Sequence, residues 1–77
     1  MTLAESPAHC DVRVVQVRAS DGLRLRLGEL GVQDGATLRV WKRLAFGARV
    51  VVVGGSRLAL DAGTAAGVEV DPLTVAG

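Results

Sequence analysis

The chain is expected to be mainly β, a small five-stranded barrel with one short helix between its first and second strands. Three observations lead there. The apolar residues come in runs of strand length separated by Gly, Asp and Ser. Hydrophobic residues make up 49% of 77 residues, with one Phe, one Trp and no Tyr, so the core must be built from Val, Leu and Ala. The one stretch with helical spacing, DGLRLRLGELGV, lies early in the chain. Closing short Val-rich strands into a barrel covers edges that would otherwise pair with other molecules.

DVRVVQVR (Asp11–Arg18) reads as the first strand. Val12 and Val14 share one parity and Val15 and Val17 the other, so a bulge is expected near Val14–Val15. The next stretch alternates like a strand at Leu23, Leu25 and Leu27. Leu23, Leu27 and Leu30 also fall at helical spacing, and Glu29 breaks the alternation. We read a helix over Gly22–Leu30 with Leu23, Leu27 and Leu30 buried. Ser20 or Asp21 caps its start, and Gly31 ends it in a left-handed turn that folds Val32 back. Leu25 then points outward between Arg24 and Arg26.

ATLRVWKR (Ala36–Arg43) is the second strand, with Leu38 and Val40 inward and Arg39, Trp41 and Arg43 outward. LAFGA (Leu44–Ala48) is a loop. RVVVV, Gly54-Gly55 and SRLAL form a hairpin whose two glycines supply positive φ. Asp61 caps one helical turn over Asp61–Ala66, Val68–Val70 is a short last strand, and residues 71–77 are a frayed tail. The whole chain, 1–77, is expected to be one domain with an ordered core of about 2–70.

Several functions find no footing. No apolar run approaches the ~20 residues of a membrane span. The start, MTLAESPAHCD, lacks a basic segment followed by an apolar one, and the lone Cys10 has no disulfide partner within the chain, so a cytoplasmic location is expected. His9, Cys10 and Asp11 are adjacent, whereas metal ligands are usually spaced, and no second His or Cys completes a shell; no metal site and no cofactor is expected. The only His lies in the N-terminal segment, so no nucleophile–base pair suggests itself and no catalytic residue is assigned. Nine basic residues against eight acidic ones exert no global pull on nucleic acid, and Trp41 is the one clear platform for a base.

RLGELGV (Arg26–Val32), G-x-x-L-x-V (Gly35–Val40), FG followed by a Val run (Phe46–Val53), G-S-R-L-A-L (Gly55–Leu60) and the final V-E-V occur in an order that resembles the FeoA family. The resemblance covers about residues 2–70. Ala45 and Arg49 stand where prolines often occur in that family, and His9-Cys10 replaces a frequent Gly. The resemblance implies an SH3-like barrel without enzymatic activity, acting in bacterial ferrous iron uptake. It implies as partner the cytoplasmic GTPase region of the membrane transporter FeoB. Two alternatives stay open: a nucleic-acid-binding small barrel, and an iron-responsive module like the C-terminal domain of iron-dependent repressors. The candidate partner-binding residues are Leu25, with Arg24 and Arg26 as its charged rim, and the aromatics Trp41 and Phe46, since aromatic anchors carry much interface energy.

Overall fold

The computed structural model describes residues 1–73. Five antiparallel strands form one curled sheet: β1 (Cys10–Val17), β2 (Thr37–Arg43), β3 (Arg49–Val53), β4 (Ser56–Leu60) and β5 (Val68–Pro72), paired in the order β4-β3-β2-β1-β5. Helix α1 (Asp21–Glu29) joins β1 to β2, and helix α2 (Ala62–Gly67) joins β4 to β5. The expected architecture is present. Its end strands are linked by α2 rather than by a ladder between β4 and β5. The outer edge of β5 is covered by the N-terminus instead, through Val70 N–H donating to the Met1 carbonyl at 2.7 Å and a bridge between Thr2 and Glu69.

Strand alternation sets the core. Val12, Val14 and Val17 point inward from β1, and the register against β5 shifts between Val14 and Gln16. This is the bulge that the broken alternation predicts: Val15 is the extra residue and lies 46% exposed. Leu38, Val40, Val51, Val53, Leu60, Val68 and Val70 complete the interior with Leu27, Val32 and Ala65 from the connections. A second shift, between Val40 and Lys42, turns Trp41 and Lys42 outward on β2. The hairpin turn has positive φ at both Gly54 (56°) and Gly55 (83°), as its sequence requires.

Ser20 caps α1 by accepting from the Leu23 N–H, and Asp61 caps α2 by accepting from the Thr64 N–H at 2.7 Å. The C-terminus of α1 is a Schellman turn. Gly31 sits at φ 99°, its N–H donates to the Gly28 carbonyl at 3.0 Å, and the Val32 N–H donates to the Leu27 carbonyl at 2.8 Å. That turn corrects one expectation. Leu30 is 46% exposed, not buried, because the chain reverses after it and Val32 takes the inward place at 1% exposure. Leu27 is buried and Leu23 half-buried.

Two further differences lie at the chain's ends. A 3-10 turn at Leu3–Glu5 buries Leu3 completely. Its signal was the Thr2-x-x-Glu5 spacing, in which Glu5 accepts from the Thr2 N–H at 2.8 Å. At the other end β5 runs on to Pro72, two residues into the stretch read as tail, and the Leu73 N–H donates to the Asp11 carbonyl. Residues 74–77 of that tail lie outside the described residues.

Candidate functional site

The register places the candidate residues at two ends and on one side of the barrel. Arg13 faces Thr37, Val17 faces Val68 and Val53 faces Ser56, so these ends lie together beside α1. Arg43 faces Arg49, which faces Leu60, at the far end beside the loop Leu44–Ala48. β2 spans the two with seven residues, roughly 20 Å. Leu25, Arg24 and Arg26 therefore lie at one end and Phe46 at the other, with Trp41 on the side between them. They do not form one compact patch.

At the α1 end Leu25 is 67% exposed. With Arg24 it lines an open groove of about 650 Å³ floored by Val17 and Val32 and bordered by Asp21, Glu29 and Asp34. Arg26 is exposed and does not line it. The rim of Leu25 is thus mixed in charge, with carboxylates that the linear stretch around Leu25 only partly revealed.

At the opposite end Phe46 is 97% exposed and sits in the left-handed region at φ 59°, ψ 24°. An L-residue with a bulky side chain adopts that conformation at a cost of roughly 1–2 kcal/mol, and this one gains no burial in return. The loop around it is firmly seated. The Leu44 N–H donates to the Ala48 carbonyl at 2.9 Å, and Gly47 lies against Ala4 of the N-terminal turn. Leu44 adds a second exposed apolar side chain at 44%.

Beneath this loop is a residue that sequence reasoning missed. Arg49 is 3% exposed and pairs with no carboxylate among the described residues. Its Nε donates to the Ser6 carbonyl at 3.0 Å, Nη1 to the Ala48 carbonyl at 2.9 Å and Nη2 to the Ala4 carbonyl at 2.6 Å. Burial, with a smaller contribution from Arg43, holds its pKa below the usual arginine value. Its guanidinium fork ties the N-terminal turn to the base of the Phe46 loop. At the head of a valine run it reads as an ordinary outward charge, and only the packed N-terminal segment reveals its role.

Trp41 points outward as expected, but it is half-buried and attended by cations. The Arg57 Cζ lies 4.1 Å and the Lys42 Nζ 4.7 Å from its ring centroid. His9 and Asp11 are exposed and Cys10 half-buried at the start of β1. Among the described residues, no three His, Cys, Asp or Glu side chains gather as a metal site.

A family model for the FeoA domain matches residues 1–72. The chain belongs to the FeoA family. Solved FeoA structures agree. A FeoA protein from Chlorobium tepidum is 32% identical, with a TM-score of 0.87, covering 96% of this chain and 71% of that one. An iron uptake regulatory protein, also a FeoA, is 30% identical, with a TM-score of 0.85 and coverage of 95% and 97%. FeoA of Stenotrophomonas maltophilia, solved in complex with zinc and described as a prokaryotic SH3 domain protein, is 37% identical, with a TM-score of 0.77 and coverage of 92% and 89%. The manganese regulator SloR shares the fold alone, at 19% identity, and the chain covers 34% of its length. No functionally curated protein matches the chain. The fold is accordingly the SH3-like barrel that the FeoA resemblance implied, and no helix among the described residues is long and apolar enough to cross a membrane.

Proposed function

We propose that this FeoA protein is a non-enzymatic accessory module of bacterial ferrous iron uptake. It works in the cytoplasm by docking on the GTPase region of the FeoB transporter. The observation that carries the reading is Phe46. A bulky aromatic side chain held almost fully exposed, in a backbone conformation that disfavours it, contributes nothing to the fold that a smaller residue would not. Such a residue suits a binding anchor, since exposed aromatics on a seated loop bury large area at small entropic cost. Leu25 supplies a second apolar contact at the opposite end. Family membership supports iron uptake as the setting, and the S. maltophilia FeoA is described as a candidate ferrous iron transport activating factor.

The test is binding of the purified chain to the transporter's cytoplasmic region by calorimetry, with and without guanine nucleotide. Phe46→Ala and Leu25→Gln, each first shown to be folded by circular dichroism, should weaken binding by ~1–3 kcal/mol. Wild-type protein that does not bind that region with or without nucleotide would refute the partner. Unchanged binding by both variants would remove these two ends from the interface.

A further inference from the structure

We propose that the outer face of β2, β3 and β4 docks a carboxylate-rich segment of a protein partner, centred on Trp41 and its two cations. The proposal deepens the reading above, because Trp41 is one of its candidate contacts, and it names the chemistry that this side of the barrel selects.

Charge is segregated along the chain. Residues 35–60, which hold all three strands, carry Arg39, Lys42, Arg43, Arg49 and Arg57 and no Asp or Glu. All eight acidic residues lie outside that span. A face charged only for solubility carries both signs interspersed. Two of the five cations are already engaged: Arg49 faces the core, and Arg39 bonds Asp11 at 3.2 Å. Lys42, Arg43 and Arg57 remain exposed with no carboxylate partner among the described residues.

The register gathers Lys42 and Arg57 over an apolar floor, while Arg43 lies opposite Arg49 at the strand end. Lys42 lies opposite Val50, and Arg57 lies opposite Val52, which also faces Arg39. Val50 and Val52 are half-buried on this outer side, so they offer contact area between the charges. The Trp41 ring completes the site. With Arg57 at 4.1 Å and Lys42 at 4.7 Å from its centroid, the ring restrains two long side chains that would otherwise lose freedom on pairing. Their remaining N–H groups are free to donate to carboxylates.

The same geometry disfavours nucleic acid. A base stacks on an exposed aromatic face. Here Arg57 would have to leave the ring first, and the chain offers no second aromatic on these strands. A carboxylate needs no such displacement.

Trp41 is the sole tryptophan, so its emission reports on this face. The full chain is titrated with a Glu-rich peptide containing a few Leu, with the matching Lys-rich peptide, and with oligothymidylate. The expected result is a saturable emission change with the acidic peptide alone, weakening as salt rises. Lys42→Gln and Arg57→Gln should each lower its affinity about two- to fivefold, the range of exposed ion pairs, and Arg13→Gln, at an exposed arginine outside these strands, should not. No saturable change with the acidic peptide, or an equal one with the basic peptide, overturns the proposal. Tighter binding of oligothymidylate overturns it in favour of nucleic acid. The transporter's cytoplasmic region is measured separately. If it binds the Lys42→Gln/Arg57→Gln double variant undiminished, this face is not its dock, while the FeoB reading stands. If the acidic peptide binds and that region does not, the face stands and the FeoB reading falls.

Discussion

Arg49 buries a permanent charge that three backbone carbonyls solvate, with no carboxylate partner among the described residues. Arg49→Ala would remove the side-chain donor from the Ser6 and Ala4 carbonyls, while Ala48 keeps the Leu44 N–H, so we expect a loss of roughly 2–4 kcal/mol in urea denaturation. Arg49→Lys should recover only part of it, because one ammonium cannot reach all three acceptors as the planar fork does. Phe46 carries the opposite signature. Phe46→Asn, which tolerates left-handed φ, should raise stability by up to about 1 kcal/mol while weakening binding to the transporter's cytoplasmic region. A variant that lost stability would show that the exposed ring supports the loop after all. Neither residue was legible from its neighbours in sequence. Phe46 was expected to be a loop aromatic, but its strain is a backbone property. The role of Arg49 depends on carbonyls more than forty positions away, as the bond to Ser6 spans 43 residues.

The connections carry more local information, and there the sequence was read more fully. Ser20, Asp61 and Gly31 each act through hydrogen bonds within a few residues, so their capping roles were visible in the linear order. Leu30 was misassigned because helical spacing ignores the chain reversal that begins just after it. For α1 we expect Leu27→Ala to cost ~2–5 kcal/mol and Leu25→Gln to leave the circular dichroism spectrum unchanged, given their 3% and 67% exposures. For α2 the expected effect is one of pH. The Thr64 N–H bonded to Asp61, chiefly through the backbone, holds that carboxyl below the ordinary Asp range, and the Thr2 N–H does the same for Glu5. A depressed folded-state pKa gives stability that is present above the unfolded value, about 4, and lost as pH falls through the folded one. Thermal melts between about pH 5 and pH 2 should therefore fall with acid, and less steeply in Asp61→Asn. Identical slopes would mean that the cap does not titrate with unfolding.

At the scale of the whole molecule, the period-two alternation gave the five strands, and the slips in that alternation marked the bulge in β1. What it could not give was the distribution of the candidate site, because distances across a barrel depend on register and strand length. The pairing order also leaves the outer edge of β4 without a strand partner among the described residues. Behind that edge lies β3, whose four consecutive valines are a strongly aggregation-prone sequence once uncovered. The strand that covers it, β4, is only five residues long and joins β3 through a Gly-Gly turn. Arg57 stands on that strand, where a charge discourages a second molecule from adding its own backbone. Arg57→Ile should therefore shorten the lag before concentrated protein scatters light, while a lag equal to wild type would assign that protection elsewhere. The cation proposed to receive a partner's carboxylates would then also govern colloidal behaviour, so its replacement for binding studies sets an upper limit on the concentration at which those studies can be run.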